Sequence, residues 1–258
     1  MGKYFDDLHA RWESQLTGSP CDIADTEEIL SLRETAEDYD NLMSLGDALT
    51  RQLRYREAAK SYSRALEKRP GDYTATRNRA GRYLSTLQTE AAKKDLHFCL
   101  ENNCDEMDIT YRLGLCSFFD REYADAANWF ERCYPLCDEE MGIAIIYWHT
   151  ICSYRMKAHS ELLDKYHIGM EVGHHTAYEK AVRVFAGAMS TINALAELEH
   201  ESEDLEYAIT MYGLCRYLLY SGQAEIYKRY MKRLIERDGF WPCYAYLAAC
   251  NDTMDEKG

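Results

Sequence analysis

The sequence predicts an all-α fold of stacked antiparallel helix pairs, and three observations carry that expectation. Helix breakers are scarce, with 4 prolines and 14 glycines in 258 residues. Apolar residues recur at i, i+3, i+4 and i+7, the spacing of a single helix face. Small residues also recur at fixed offsets in three consecutive 34-residue windows that begin at Tyr39, Tyr73 and Met107. A hydrophobic content of 47%, including 21 tyrosines, supplies a core and excludes a disordered chain.

Residues 4–16 and 24–36 each show an amphipathic helical pattern, within an acidic N-terminal segment spanning 1–38. Residues 1–40 hold eleven acids and three bases, whereas residues 41–82 hold ten bases and four acids. These are either two solvated surfaces that lie side by side or an acidic arm over a basic face. Three repeats follow over 39–140. In the first, Leu42, Leu45, Gly46 and Leu49 form one helical stripe and Ala58, Tyr62 and Ala65 the next, with Pro70-Gly71 as the stop. The second window carries Ala80 and Tyr83, then Ala92, Leu96 and Cys99; the third carries Leu113-Gly114, then Ala126, Phe130 and Cys133. Gly or Ala at each helix crossing lets two backbones approach, and larger neighbours fill the flanks. One pair cannot bury its apolar face alone, so pairs must stack.

Over 141–252 the repeats become degenerate. Trp148, Ile151 and Cys152 open a further unit, but Leu162, Tyr166 and Gly169 require a shorter connection. A long helical pattern runs from Ala177 to Glu199. Met211, Leu214, Cys215 and Leu218, with Gly222 at the turn and Met231 and Leu234 beyond it, make a late copy. A capping helix is expected around 241–249, and the tail 253–258 is expected to fray. The total is about fourteen helices with essentially no strand.

The three in-phase windows resemble the tetratricopeptide repeat (TPR) family, whose unit is a 34-residue helix pair. The first window fits the family pattern throughout if Leu42 and Leu49 replace the usual aromatics. The second departs at Arg79 and Cys104, and the third at Ser117 and Asp138. The resemblance implies a right-handed superhelical solenoid whose first helices line a concave groove for a peptide or a partner helix. One subclass of the family clamps acidic tails with five polar residues. Asn78 and Arg112 match two of those positions, while Met43, Asp47 and Asp108 occupy the other three. Two acids where a carboxylate would bind argue against that ligand. A second apolar stripe, Tyr111, Leu115 and Phe118, runs beside the core stripe of the third window. It is either covered by later helices or forms the apolar floor of a groove, with Arg77, Asn78 and Arg112 as polar anchors.

Composition narrows the function classes. A net charge of −14 disfavours nucleic acid as partner, since phosphate binding needs surplus Lys and Arg. No apolar stretch approaches a bilayer span, and the start lacks the apolar run of a secretory signal. Ten scattered cysteines with no CxxC pair suit a reduced, cytoplasmic setting. Phosphate-loop, dinucleotide-binding, nucleophile-elbow and HExxH motifs are missing from the sequence. His97, Cys99, Cys133 and Cys137 lack the spacing of a four-ligand site. Cys99, Cys133, Cys152 and Cys215 fall at small-residue positions and read as buried hydrophobes. The sequence therefore points to a non-catalytic interaction module or scaffold with a protein or peptide partner, without cofactor or metal. A substrate-holding chaperone or secretion adaptor, or the regulatory subunit of an enzyme complex, are the alternatives.

Overall fold

The computed structural model describes residues 24–102 and 105–255. The helix expected over 4–16 and the repeat position at Cys104 lie outside them. Thirteen α-helices and no strand occur among the described residues. They are α1 (Glu27–Thr35), α2 (Tyr39–Arg51), α3 (Tyr55–Lys68), α4 (Tyr73–Ser85), α5 (Thr89–Glu101), α6 (Glu106–Phe119) and α7 (Tyr123–Cys133), followed by α8 (Glu139–Met156), α9 (Thr176–Phe185), α10 (Thr191–Leu198), α11 (Asp204–Tyr220), α12 (Ala224–Glu236) and α13 (Tyr244–Asp255).

The repeat is written most plainly in the backbone. Leu53, Leu87 and Arg121 adopt left-handed conformations, with φ of 59°, 53° and 66°, at 34-residue intervals. After each, one amide donates to the carbonyl five residues back: Arg54 to Leu49, Gln88 to Tyr83 and Glu122 to Ser117. This bond satisfies an otherwise orphaned carbonyl and reverses the chain into the second helix. The first helices also begin alike. Asp38, Asp72 and Asp138 each accept a hydrogen bond at N-terminal caps, from the amides of Asn41, Ala75 and Met141. Asp138, a departure from the family pattern, is thus the cap of α8.

The same turn locates the degenerate units. It recurs at Lys157, Gly187 and Gly222, where Ala158 donates to Ser153, Ala188 to Arg183 and Gln223 to Leu218. Helices α8, α9 and α11 are therefore first helices, and α10 and α12 their partners. After α8 the second helix shrinks to a single 3-10 turn, Leu163–Lys165. The long helix expected over 177–199 is two helices, because Gly187 (φ 71°) closes α9. The last helix runs to Asp255, into the stretch expected to fray, and buries Thr253.

Two compact units divide the chain at Cys116/Ser117, inside the third repeat. In the first, Leu42, Leu45, Leu49, Ala58, Tyr62 and Ala65 share one core with Ile29 of α1. Gly46 faces the Tyr62 ring so closely that a methyl group there would overlap it. Arg79, the departure in the second window, is compensated by Asp95, with two hydrogen bonds of 2.7 and 2.8 Å. Among the described residues, acids of the N-terminal stretch pair with bases of the next: Arg54 with Asp25, and Arg51 with Glu28 at 2.5 Å. In the second unit, α8 is buried on every side from Gly142 to Ser153, including Tyr147, Trp148 and Ile151. Cys99, Cys133, Cys152 and Cys215 are buried free thiols, and burial pushes the pKa of Cys152 and Cys215 upward.

Candidate functional site

The residues expected to line a groove separate into three groups. Leu115 is 0% and Phe118 3% exposed, so neither is a floor open to a partner. Phe118 packs edge-on against Phe119, Tyr123 and Trp148, with ring centroids 6.0, 5.6 and 5.0 Å away. The second apolar stripe of α6 is core, and Tyr111 beside it is half-buried. The groove's expected polar anchors form the second group. Asp108 accepts hydrogen bonds from Arg77 Nε (2.8 Å) and Arg112 Nε (2.9 Å), and Asp105 lies 3.8 Å from Arg77. Arg112 also lies across α4, donating to the Arg77 carbonyl at 3.4 Å. A Cβ at Gly81 would come within 2.7 Å of its guanidinium. Two guanidiniums and two carboxylates neutralise one another, which leaves little excess charge for a ligand.

The third group is split between the core and the surface. Met43 packs on the α2–α3 core. Asp47 is exposed and accepts a 2.6 Å hydrogen bond from the Tyr62 hydroxyl. Burial, reinforced by Asp47, pushes that phenol's pKa upward. Asn78 is half-buried with no side-chain hydrogen bond among the described residues.

A different concavity stands out in the second unit. A cleft of about 600 Å³ opens at the C-terminal ends of α8 and α11, lined by Tyr154, Arg155, Lys157, Arg216, Leu219 and Tyr220. On one wall the rings of Tyr154 and Tyr220 stack with centroids 4.2 Å apart and an interplanar angle of 18°. Tyr220 is 50% exposed, an unusual state for a large aromatic beside an aromatic cluster. The other wall is cationic. Asp252 of α13 pairs with Arg155 and, at 3.1 Å, with Arg216 Nη1, and it accepts from the Tyr212 hydroxyl at 3.1 Å. The Arg155 guanidinium also lies 5.2 Å from the Tyr123 ring centroid.

Arg155 is held in place and stays charged. Burial alone would lower the Arg155 pKa, but Tyr212 and Asp252 beside it outweigh burial and raise it. Arg216 is only 5% exposed. The buried Nε–H groups of both have no hydrogen-bond partner among the described residues. Lys157 is exposed at the cleft rim, in the left-handed turn that ends α8. The last carbonyls of α8 are capped by the amides of Lys157 (3.3 Å, to Tyr154) and Ala158 (2.9 Å, to Ser153). A shallower hollow of about 370 Å³ on α3 mixes Arg56, Lys60 and Arg64 with Glu67.

Sequence reasoning missed this cleft because its parts are far apart in the chain. Arg155 and Asp252 are separated by 97 positions. The available signal was the clustering of Tyr154, Arg155 and Lys157 just after the largely apolar run 143–152, matched by Arg216, Tyr217 and Tyr220 at the end of the first helix of the late copy.

No family model matches the chain, and no curated protein matches it. Among solved structures it is similar to the crystal structure of YrrB, a TPR protein with an unusual peptide-binding site. The TM-score is 0.45 at 15% identity, over 90% of this chain and 100% of that one. Among the described residues, no helix is long and apolar enough to cross a membrane. The tandem helix pairs, and the left-handed turns spaced 34 residues apart at Leu53, Leu87 and Arg121, give this chain a TPR-like helical-repeat fold.

Proposed function

We propose that the chain is a non-catalytic protein-interaction module that holds a segment of a partner protein in the cleft between the ends of α8 and α11. The observation that carries this reading is the cleft's lining: an exposed, stacked tyrosine pair opposite fixed arginines. Tyr and Arg are the side chains that most often dominate protein recognition, because they offer large contact area and directed donors at low entropy cost. Helices on both sides hold these groups rigidly, which lowers the ordering penalty of binding. In the first unit, Asp47 is the fully exposed member of the expected groove.

The test is capture of a stoichiometric partner by the full chain, followed by reconstitution with the purified partner. Tyr220→Ala should weaken that complex by about 2 kcal/mol or more if the ring is a hot spot. A partner that binds wild type and Tyr220→Ala equally would place the interface elsewhere. Turnover of a substrate by the isolated chain would overturn the non-catalytic reading.

A further inference from the structure

The chemistry of the cleft specifies its ligand more narrowly, and this step rests on the reading just given. We propose that the α8–α11 cleft recognises a phosphate monoester carried on the partner segment, that is, a phosphorylated side chain. The charge count is the first argument. Arg155, Arg216 and Lys157 bring three positive charges against the one carboxylate of Asp252, leaving an excess of two. The helix C-termini at the cleft offset part of that excess, by about half a charge each, although the Ser153 and Tyr154 carbonyls of α8 are engaged by backbone amides. The remainder is about one to two positive charges; a phosphate monoester near neutral pH carries about −1.5 to −2 and covers that range, whereas a carboxylate carries half as much and meets only its lower end.

Preorganisation is the second argument. Asp252 fixes both guanidiniums, and Arg216 is nearly buried, so a ligand meets donors already in position. Each guanidinium carries five N–H donors, and the two oxygens of Asp252 engage only some of them. Lys157 at the rim adds a mobile point charge. Shape is the third argument. The cleft, at about 600 Å³, is far larger than a bare phosphate needs and falls within the range of clefts that take whole residues. The Tyr154–Tyr220 wall and Leu219 offer an apolar face to the carbon portion of the phosphorylated residue and its neighbours.

The experiment is fluorescence anisotropy with the full chain and three labelled pentapeptides, identical except for phosphoserine, serine or glutamate at the centre. The phosphoserine peptide should bind about tenfold or more tightly than either counterpart, since three acceptor oxygens and nearly two charges meet paired donors. Lys157→Asn removes one charge and suits the left-handed backbone at that position; it should weaken the phosphoserine peptide about three- to tenfold and leave the melting temperature unchanged. Exposed Lys232, which pairs with Glu236 on α12 outside the cleft, is the control, and Lys232→Gln should change nothing. Equal binding of the glutamate and phosphoserine peptides would overturn the proposal in favour of an acidic segment. Inorganic phosphate binding as tightly as the phosphopeptide would overturn it in favour of a free ion. A captured partner that survives phosphatase treatment but is lost in Tyr220→Ala would sink the phosphate assignment while leaving the interaction module intact.

Discussion

Two arrangements in this chain use the same parts and reach different ends. In the first unit Arg77 and Arg112 share Asp108; in the second Arg155 and Arg216 share Asp252. Around Asp108 a second acid, Asp105, completes the charge balance, and Arg112 lies over Gly81 so that the guanidinium packs on α4. Around Asp252 no second acid lines the cleft among the described residues; a third cation does, and an open volume of about 600 Å³ adjoins the pair. On the proposal above, an arginine pair bridged by one carboxylate is a strut when its surroundings are neutral and closed, and a receptor when they are cationic and open. Charge count and free volume decide the outcome, rather than the motif itself.

That contrast can be broken most forcefully at the shared carboxylates. Asp252→Ala leaves two guanidiniums, one of them buried, without a counter-charge, and should cost about 3–5 kcal/mol in urea denaturation. Asp108→Ala leaves Arg77 and Arg112 with only Asp105 nearby, but both reach solvent, so about 1–2 kcal/mol is expected. Equal losses would mean that the two networks do not differ as described. Gly46→Ala tests the helix crossing of the first unit. It forces a methyl group against the Tyr62 ring and should cost about 1–3 kcal/mol by the same measurement.

A smaller effect is expected from pH in the second unit. His149 is buried, with Nδ1 2.9 Å from Ser160 Oγ and Nε2 3.1 Å from Glu131. Burial lowers its pKa, against the opposing pull of Glu131. The folded state therefore binds the proton less readily than the unfolded chain. Its contribution to stability is full above the unfolded value of about 6.5 and is lost as pH falls through the lower folded value. Melting temperatures measured across that window should fall with acid in the wild type and fall less in His149→Gln.

The sequence and the structure agree where a residue's role is decided by near neighbours. Leu42, Leu45, Gly46 and Leu49, or Ala58, Tyr62 and Ala65, pack within one pair, so their 3.6-residue spacing announced the helices and their crossing. Past residue 140 the period was hidden because one second helix has shrunk to a 3-10 turn, and Gly187 divides a pattern that reads as continuous. The apolar floor of the candidate groove was misplaced for a related reason. Leu115 and Phe118 lie on a stripe that periodicity alone places outside the pair, yet both are buried, with Phe118 meeting Trp148 thirty positions away. Nor could spacing show that Arg77 and Arg112 converge on Asp108, or that Arg155 and Arg216 converge on Asp252. Such pairings depend on which helices stack, which the linear pattern does not encode.

The most direct test of the central contrast exchanges the fork for a point charge in each network. Arg216→Lys and Arg77→Lys both preserve charge and remove the planar pair of donors. Binding of the phosphoserine pentapeptide should fall about tenfold or more in Arg216→Lys, where the donors face a ligand, and stay at the wild-type value in Arg77→Lys. Loss of binding in Arg77→Lys with Arg216→Lys unaffected would reverse the assignment of strut and receptor and contradict the account.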